Sequence, residues 1–221
     1  MDVTLALEEI RVLGALIEKD LTTPEYYPLT VNALINACNQ KSNRDPVATY
    51  NATTVVAALD SLREKKLACL FSGAGSRATK YKHLAAETLA LSREETALLA
   101  VLMLRGPQTV AELRVRTGRA CSFTDAAQAE AMLEGLAKRE TGALAIRLPR
   151  QPGQKECRYA HLFAGPPELA AGPAPGAAAT APPAPSPIED ERVAKLQADV
   201  EALRGELAEL KRQFTEWKTR T

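Results

Sequence analysis

Only two histidines occur in the 221 residues, and they stand at matching places, His83 in "YKHL" and His161 in "YAHL". A catalytic histidine needs a reacting group within hydrogen-bond reach. A histidine that recurs with its surroundings belongs more naturally to a framework, so each is expected to satisfy a hydrogen bond at the end of a strand. The nucleophile, nucleotide and zinc-protease motifs GxSxG, P-loop, GxGxxG and HExxH do not occur. "GAGSR" (Gly73–Arg77) lies between two strand-like stretches rather than opening a helix, so it is not expected to cradle phosphate. The acidic pairs Glu8-Glu9 and Glu94-Glu95 fall early in helical stretches, where the helix dipole favours them. Cys38, Cys69, Cys121 and Cys157 form neither a CxxC pair nor a zinc-ligand pattern. They are expected to be small hydrophobes in a reducing compartment, which places the chain in the cytoplasm. No enzyme activity, metal or cofactor is expected.

The chemistry that remains is recognition. Asn39-Gln40-Lys41-Ser42-Asn43-Arg44-Asp45-Pro46 follows the apolar "LINAC" without one apolar side chain until the proline. Amides and cations are the groups used on base edges and phosphates. If double-stranded DNA is bound, Lys41, Arg44, Arg77, Lys80, Arg114, Arg116 and Arg119 are expected on phosphates. Asn39, Gln40 and Asn43 are then the only base or sugar readers. A second reading is equally open: the polar side chains bond to nearby backbone, and Arg44 and Asp45 pair with neighbours to fix the loop's shape.

Four blocks recur in order and define the elements that must position these residues. "LALEEIRVLGALIEK" (Leu5–Lys19) lies over "LSREETALLAVLMLR" (Leu91–Arg105), and "LTVNAL" (Leu29–Leu34) over "QTVAEL" (Gln108–Leu113). "ALDSLREK" (Ala58–Lys65) lies over "MLEGLAKR" (Met132–Arg139), and "KYKHL" (Lys80–Leu84) over "RYAHL" (Arg158–Leu162). Each copy reads as three helices and two short strands. Ile10, Leu13, Leu16 and Ile17 form a helical stripe, and Thr30 is placed to cap a second helix ending near Cys38. A third helix begins near Thr53 and uses Val55, Leu59 and Leu62, and "LACLFS" and "TKYKHL" flank a turn. Three helices followed by a hairpin is the winged-helix arrangement, whose second and third helices form a helix-turn-helix. The fold class is therefore mainly α with small β-hairpins (α+β), with a first winged-helix domain at 1–87 and a second at 88–165.

"RVLGALIEKDLTTPEYYPLTVNALINACNQKSNRDPV", "LLAVLMLRGPQTVAELRVR" and "ECRYAHLFAG" closely resemble the YceH-like family of uncharacterised bacterial proteins, over about Leu5 to Gly165. The resemblance implies a cytosolic protein with tandem winged helices. It carries no catalytic or ligand-binding residues over to this chain.

The stretch "AGPPELAAGPAPGAAATAPPAPSP" holds eight of the 14 prolines, and residues 166–187 are read as a Pro/Ala-rich disordered linker. In 188–221, Val193, Leu196, Val200, Leu203, Leu207, Leu210, Phe214 and Trp217 are spaced alternately by three and four. That is a coiled-coil seam. The pairs Asp199–Arg204 and Glu206–Lys211 across a parallel dimer are opposite in charge, so a homodimer through this helix is expected. The alternative is that the helix docks on its own globular part.

Charge does not announce a nucleic-acid binder. The net charge is +1, with Lys+Arg 28 against Asp+Glu 27. Both third helices are poor readers. "TTVVAALDSLREKK" offers Thr53, Thr54 and Ser61 before its basic end, and "TDAAQAEAMLEGLAKR" offers Gln128 among alanines and acids. The expected function is a DNA-binding, transcription-associated regulator with weak sequence selectivity. A winged-helix scaffold for a protein partner is the alternative. No run of about 18 apolar residues exists, so no membrane span is expected.

Overall fold

The computed structural model describes residues 3–71, 78–150 and 154–166, all within one compact unit. The Gly73–Arg77 turn, most of the Pro/Ala-rich stretch and the heptad segment lie outside the described residues. The chain is α+β: α1 (Leu7–Thr22), a 3-10 turn (Pro24–Tyr26), β1 (Leu29–Thr30), α2 (Val31–Cys38), α3 (Ala52–Glu64), β2 (Ala68–Phe71) and β3 (Lys80–His83) come first. A short α4 (Ala85–Thr88) leads to α5 (Arg93–Arg105), α6 (Val110–Thr117), α7 (Ala126–Ala137), β4 (Ala145–Arg147) and β5 (Tyr159–His161). Among the described residues, no helix is long and apolar enough to cross a membrane.

Polar caps set the helix starts. Thr30 accepts the Ala33 N–H at 3.3 Å, and Asn51 accepts the Thr54 N–H at 2.9 Å, so α3 begins slightly earlier than the sequence suggests. Ser92 and Thr109 cap α5 and α6, each with a glutamate three residues on returning the bond (Glu95 and Glu112). The sheets are antiparallel. Strand β3 lies between β1 and β2, pairing Leu29 with Tyr81 and Ala68 with His83. In the second copy β4 pairs with β5, Ala145 opposite His161, and an isolated bridge joins Gln108 to Tyr159 where β1 stands in the first.

The repeats share a core. Helix α1 is buried from Glu9 to Ile17, on every side rather than along one stripe. Its partner is α5, whose Leu99, Ala100, Met103 and Leu104 join the α1–α3 core, while Leu98 and Leu102 face a second cluster with Leu113, Leu133 and Tyr159. A Cβ on Gly14 would stand 3.0 Å from Leu104 Cγ and 3.1 Å from Met103 Cβ, so the missing side chain sets how closely α1 and α5 approach. Phe163 returns to the N-terminal segment, its carbonyl accepting the Leu5 N–H at 2.7 Å.

Candidate functional site

The opening polar loop divides into side chains spent inside the protein and side chains left at its surface. Arg44 is buried. Its Nε donates to the Ala37 carbonyl at 3.0 Å, Nη1 to the Asn43 carbonyl at 2.8 Å, and Nη2 to Glu18 Oε2 at 2.5 Å. A second buried arginine, Arg11, donates to the carbonyls of Cys38 at 3.2 Å and Pro46 at 2.6 Å. Burial pushes the Arg11 guanidinium below its ordinary value, and nearby Arg44 acts the same way. The Asn39 amide clips the loop's far end: Nδ2 donates to the Tyr50 carbonyl at 2.8 Å and Oδ1 accepts its N–H at 2.7 Å. Arg44 and Asn39 thus fix the loop, as the second of the two readings of this stretch has it: Arg44 is enclosed, and Asn39 is clipped to the Tyr50 backbone.

What the loop leaves outside meets the second repeat. Asn43 takes the left-handed region (φ 61°), which asparagine tolerates better than most residues, and its Oδ1 accepts from Arg105. The Asp45 N–H donates to the Leu104 carbonyl at 2.9 Å. Between the end of α1, this loop, α5 and α6 lies a cleft of about 710 Å³. Gln40, Lys41, Asn43, Arg116 and Arg119 all line it, joined by Lys19 and Arg105, which the sequence reading passed over. Five of its lining residues are cationic and one, Glu18, is anionic, and Glu18 already faces Arg44. Lys41, Arg105 and Arg119 make no ion pair among the described residues. Arg116 reaches Glu112 only at 3.8 Å. Burial pushes the Arg105 guanidinium down, and Arg116 and Arg44 push it the same way.

Two other expected contacts, Lys80 and Arg114, do not line the cleft. Lys80 sits in the central strand β3, and Arg114 is half-buried in α6 without lining the cleft. Arg77 is outside the described residues. Gln128, the one polar reader suggested for α7, is exposed, and its Oε1 accepts the Thr124 N–H at 2.8 Å at the helix start. The exposed face of α3 carries Thr53, Val56, Ala57 and Asp60, and Asp60 holds Arg63 at 2.9 Å.

The histidines differ in their partners. His83 Nε2 stands 3.1 Å from Asp20 Oδ2, and the His83 backbone N–H donates to the Tyr27 hydroxyl at 2.6 Å. Both rings leave Nδ1 buried without a partner, and burial pushes the His161 ring down to about 4. The expected hydrogen bond is therefore present at His83 Nε2, while Nδ1 lacks one in both copies. Cys38 is buried, its thiol pushed up to about 12 by desolvation, whereas Cys69, Cys121 and Cys157 are only half-buried. Among the described residues, no group of three or more His, Cys, Asp or Glu side chains could hold a metal ion.

Fold and cleft together define a mixed α+β protein with a cleft lined by five cationic side chains. The chain belongs to the family described as "Protein of unknown function, DUF480", whose model matches residues 5–154. A UPF0502 protein of Geotalea uraniireducens is 55% identical over 222 residues, 99% of each chain. One from Geotalea daltonii is 60% identical over 175 residues, 79% of each, and one from Photobacterium profundum 43% over 215 residues, 96% of each. The YceH-like resemblance of the motifs is consistent with this membership.

Proposed function

We propose that each repeat is a winged helix and that this cytoplasmic protein holds double-stranded DNA by its phosphate backbone, with weak sequence selectivity and without catalysing a reaction. The observation that carries the reading is the gathering of Lys19, Lys41, Arg105, Arg116 and Arg119 around one cleft, with three of them lacking an ion pair among the described residues. Phosphate contacts position a protein on DNA, and base contacts make it selective. Here the second kind is scarce. Apart from Arg63, which Asp60 holds, the outward side chains of α3 are short, apolar or acidic, and Asn39 and Gln128 Oε1 are engaged within the fold. The element order supports the winged-helix assignment, since α2–α3 with β2–β3, and α6–α7 with β4–β5, follow helix-turn-helix and wing. Segment 188–221 is proposed to pair two chains, which would present two such clefts to one duplex.

Fluorescence anisotropy of a labelled random-sequence duplex tests this. Each phosphate contact should add about −0.9 to the slope of log K on log salt. The Lys41→Glu/Arg119→Glu variant should flatten that slope by roughly 2 and weaken binding alike on unrelated sequences. Absence of binding even at low salt would end the reading.

A protein partner is the second reading, and one observation favours it. Leu70 and Phe71, on the outer strand β2, are 45% and 40% exposed. An added strand from another chain could pair there. Leu70→Lys/Phe71→Lys would abolish such capture while leaving duplex binding intact.

A further inference from the structure

We propose that the floor of the inter-repeat cleft binds a small amphipathic anion, an apolar body carrying a carboxylate- or phosphate-type group. A duplex backbone needs only an exposed row of cations, and this cleft has more than that. Its volume of about 710 Å³ falls in the range of about 300–1,000 Å³ typical of small-molecule sites. Its floor is apolar. Ala97, Ala100 and Leu104 are buried there, and Leu21 and Val101 are half-buried beside them. Val115 on α6 lines the same cleft and is 82% exposed. Apolar lining with a few convergent polar groups is the usual composition of a ligand pocket.

The electrostatics select the sign of the ligand. Nearby Arg116 disfavours the Arg105 charge, and among the described residues Arg105 donates to the uncharged Asn43 amide. An anion seated between them, Lys41 and Arg119 would relieve that repulsion and form charge-assisted bonds in a partly desolvated place. Neither repeat builds the pocket alone: Lys19 and Lys41 come from the first, Arg105, Arg116 and Arg119 from the second. A ligand here would bridge the two copies. It would also occupy Lys41 and Arg119, so it should compete with DNA; that consequence, unlike the binding itself, rests on the function proposed above.

The test is a fluorescence titration of the full chain with 1-anilinonaphthalene-8-sulfonate, an aromatic anion that brightens in apolar surroundings, followed by displacement. Saturable binding is expected, displaced by decanoate at concentrations where decanol and pyrophosphate have little effect. Lys41→Glu/Arg119→Glu should weaken it about ten-fold or more, the scale of one lost charged hydrogen bond. Both residues are exposed, so melting should be unchanged; Val115→Asp should weaken it through the apolar side. Absence of dye binding, equal binding by wild type and both variants, or displacement by pyrophosphate as effective as by decanoate would overturn the proposal. Decanoate added to the protein–duplex complex separates the two readings. A chain that binds dye but no duplex loses the DNA function and keeps the ligand site, and the reverse result does the opposite.

Discussion

The two repeats share an order of elements and even a cap geometry, with Thr30 and Thr109 both at φ −75° and ψ 163°. They differ in how the loop between the second and third helices is held. In the first repeat, residues 39–51 close around two buried guanidiniums, with Arg11 and Arg44 collecting the carbonyls of Ala37, Cys38, Asn43 and Pro46. In the second, residues 118–125 need no buried cation: the Ala120 and Cys121 N–H groups both return to the Thr117 carbonyl, and Arg93 reaches Ala120 from outside. A cation in one loop is therefore structural, while Arg119 in the other stays at the surface. Repetition of an architecture does not carry repetition of a residue's work.

Removing each loop's arginine breaks or confirms this contrast with the largest effect. Arg44→Ala deletes the pair with Glu18 and leaves two carbonyls without a donor in a buried place, a loss of about 3 kcal/mol. Arg44→Lys should recover less than half, because an ammonium cannot reproduce the fork. Arg119→Ala should stay within about 0.5 kcal/mol of wild type. Urea denaturation of the three variants gives the answer, and equal losses for Arg44→Ala and Arg119→Ala would erase the distinction.

The strand-end histidines sharpen it further. His161 titrates at about 4 when folded against an ordinary value of 6.5. As pH falls below 6.5 the unfolded chain takes up a proton that the folded ring refuses, so stability drops with falling pH over that window. Between pH 6.5 and 5 the loss should be about 1.5 kcal/mol, followed through the urea midpoint. His161→Leu should remove this part of the pH dependence, and because Nδ1 is a buried group without a partner, it should cost little at neutral pH. The Glu9 carboxylate adds a separate loss at lower pH. Burial alone would raise it, but hydrogen bonds from Lys65, Ser61 and the Ala6 N–H hold it below its ordinary value. Its stabilisation is lost only as pH falls through that lowered value.

Much of the fold was legible because it is local. Thr30 capping, the end of α2 at Cys38 and the strands around Tyr81 and Tyr159 are written in neighbouring residues. The site was less legible because it depends on burial. Lys41 and Arg44 stand three residues apart in one polar run, and nothing in that run says that one is exposed and the other fully enclosed. Glu9 and Arg11 look like the polar side of a striped helix. Their partners, Lys65 and Pro46, arrive from distant segments, so a periodicity that suggests one buried face belongs to a helix buried on all sides. Lys19 and Arg105 were missed for the same reason, since each ends an ordinary amphipathic stretch and becomes part of a cleft only when α1 and α5 pack together. The β1 pairing had a faint signal, the recurrence of "LT" and "QT" before the second helix of each copy.

The smallest effect tests the contact that joins the repeats. Gly14 in α1 and Gly135 in α7 are both helix-interior glycines, and helix propensity alone favours alanine at each by about 1 kcal/mol. Their surroundings are opposite. A Cβ on Gly135 meets nothing within 4 Å, so Gly135→Ala should stabilise by about 0.5–1 kcal/mol. At Gly14 the same methyl presses on Leu104 and Met103 at 3.0–3.1 Å. Overpacking costs of about 1–3 kcal/mol exceed the propensity gain, so Gly14→Ala should destabilise by about 1 kcal/mol. Thermal melts of the two variants read opposite signs if α1 and α5 are locked at this distance. A stabilised Gly14→Ala protein would mean that the helices separate freely, and the cleft beside them would then have no fixed width.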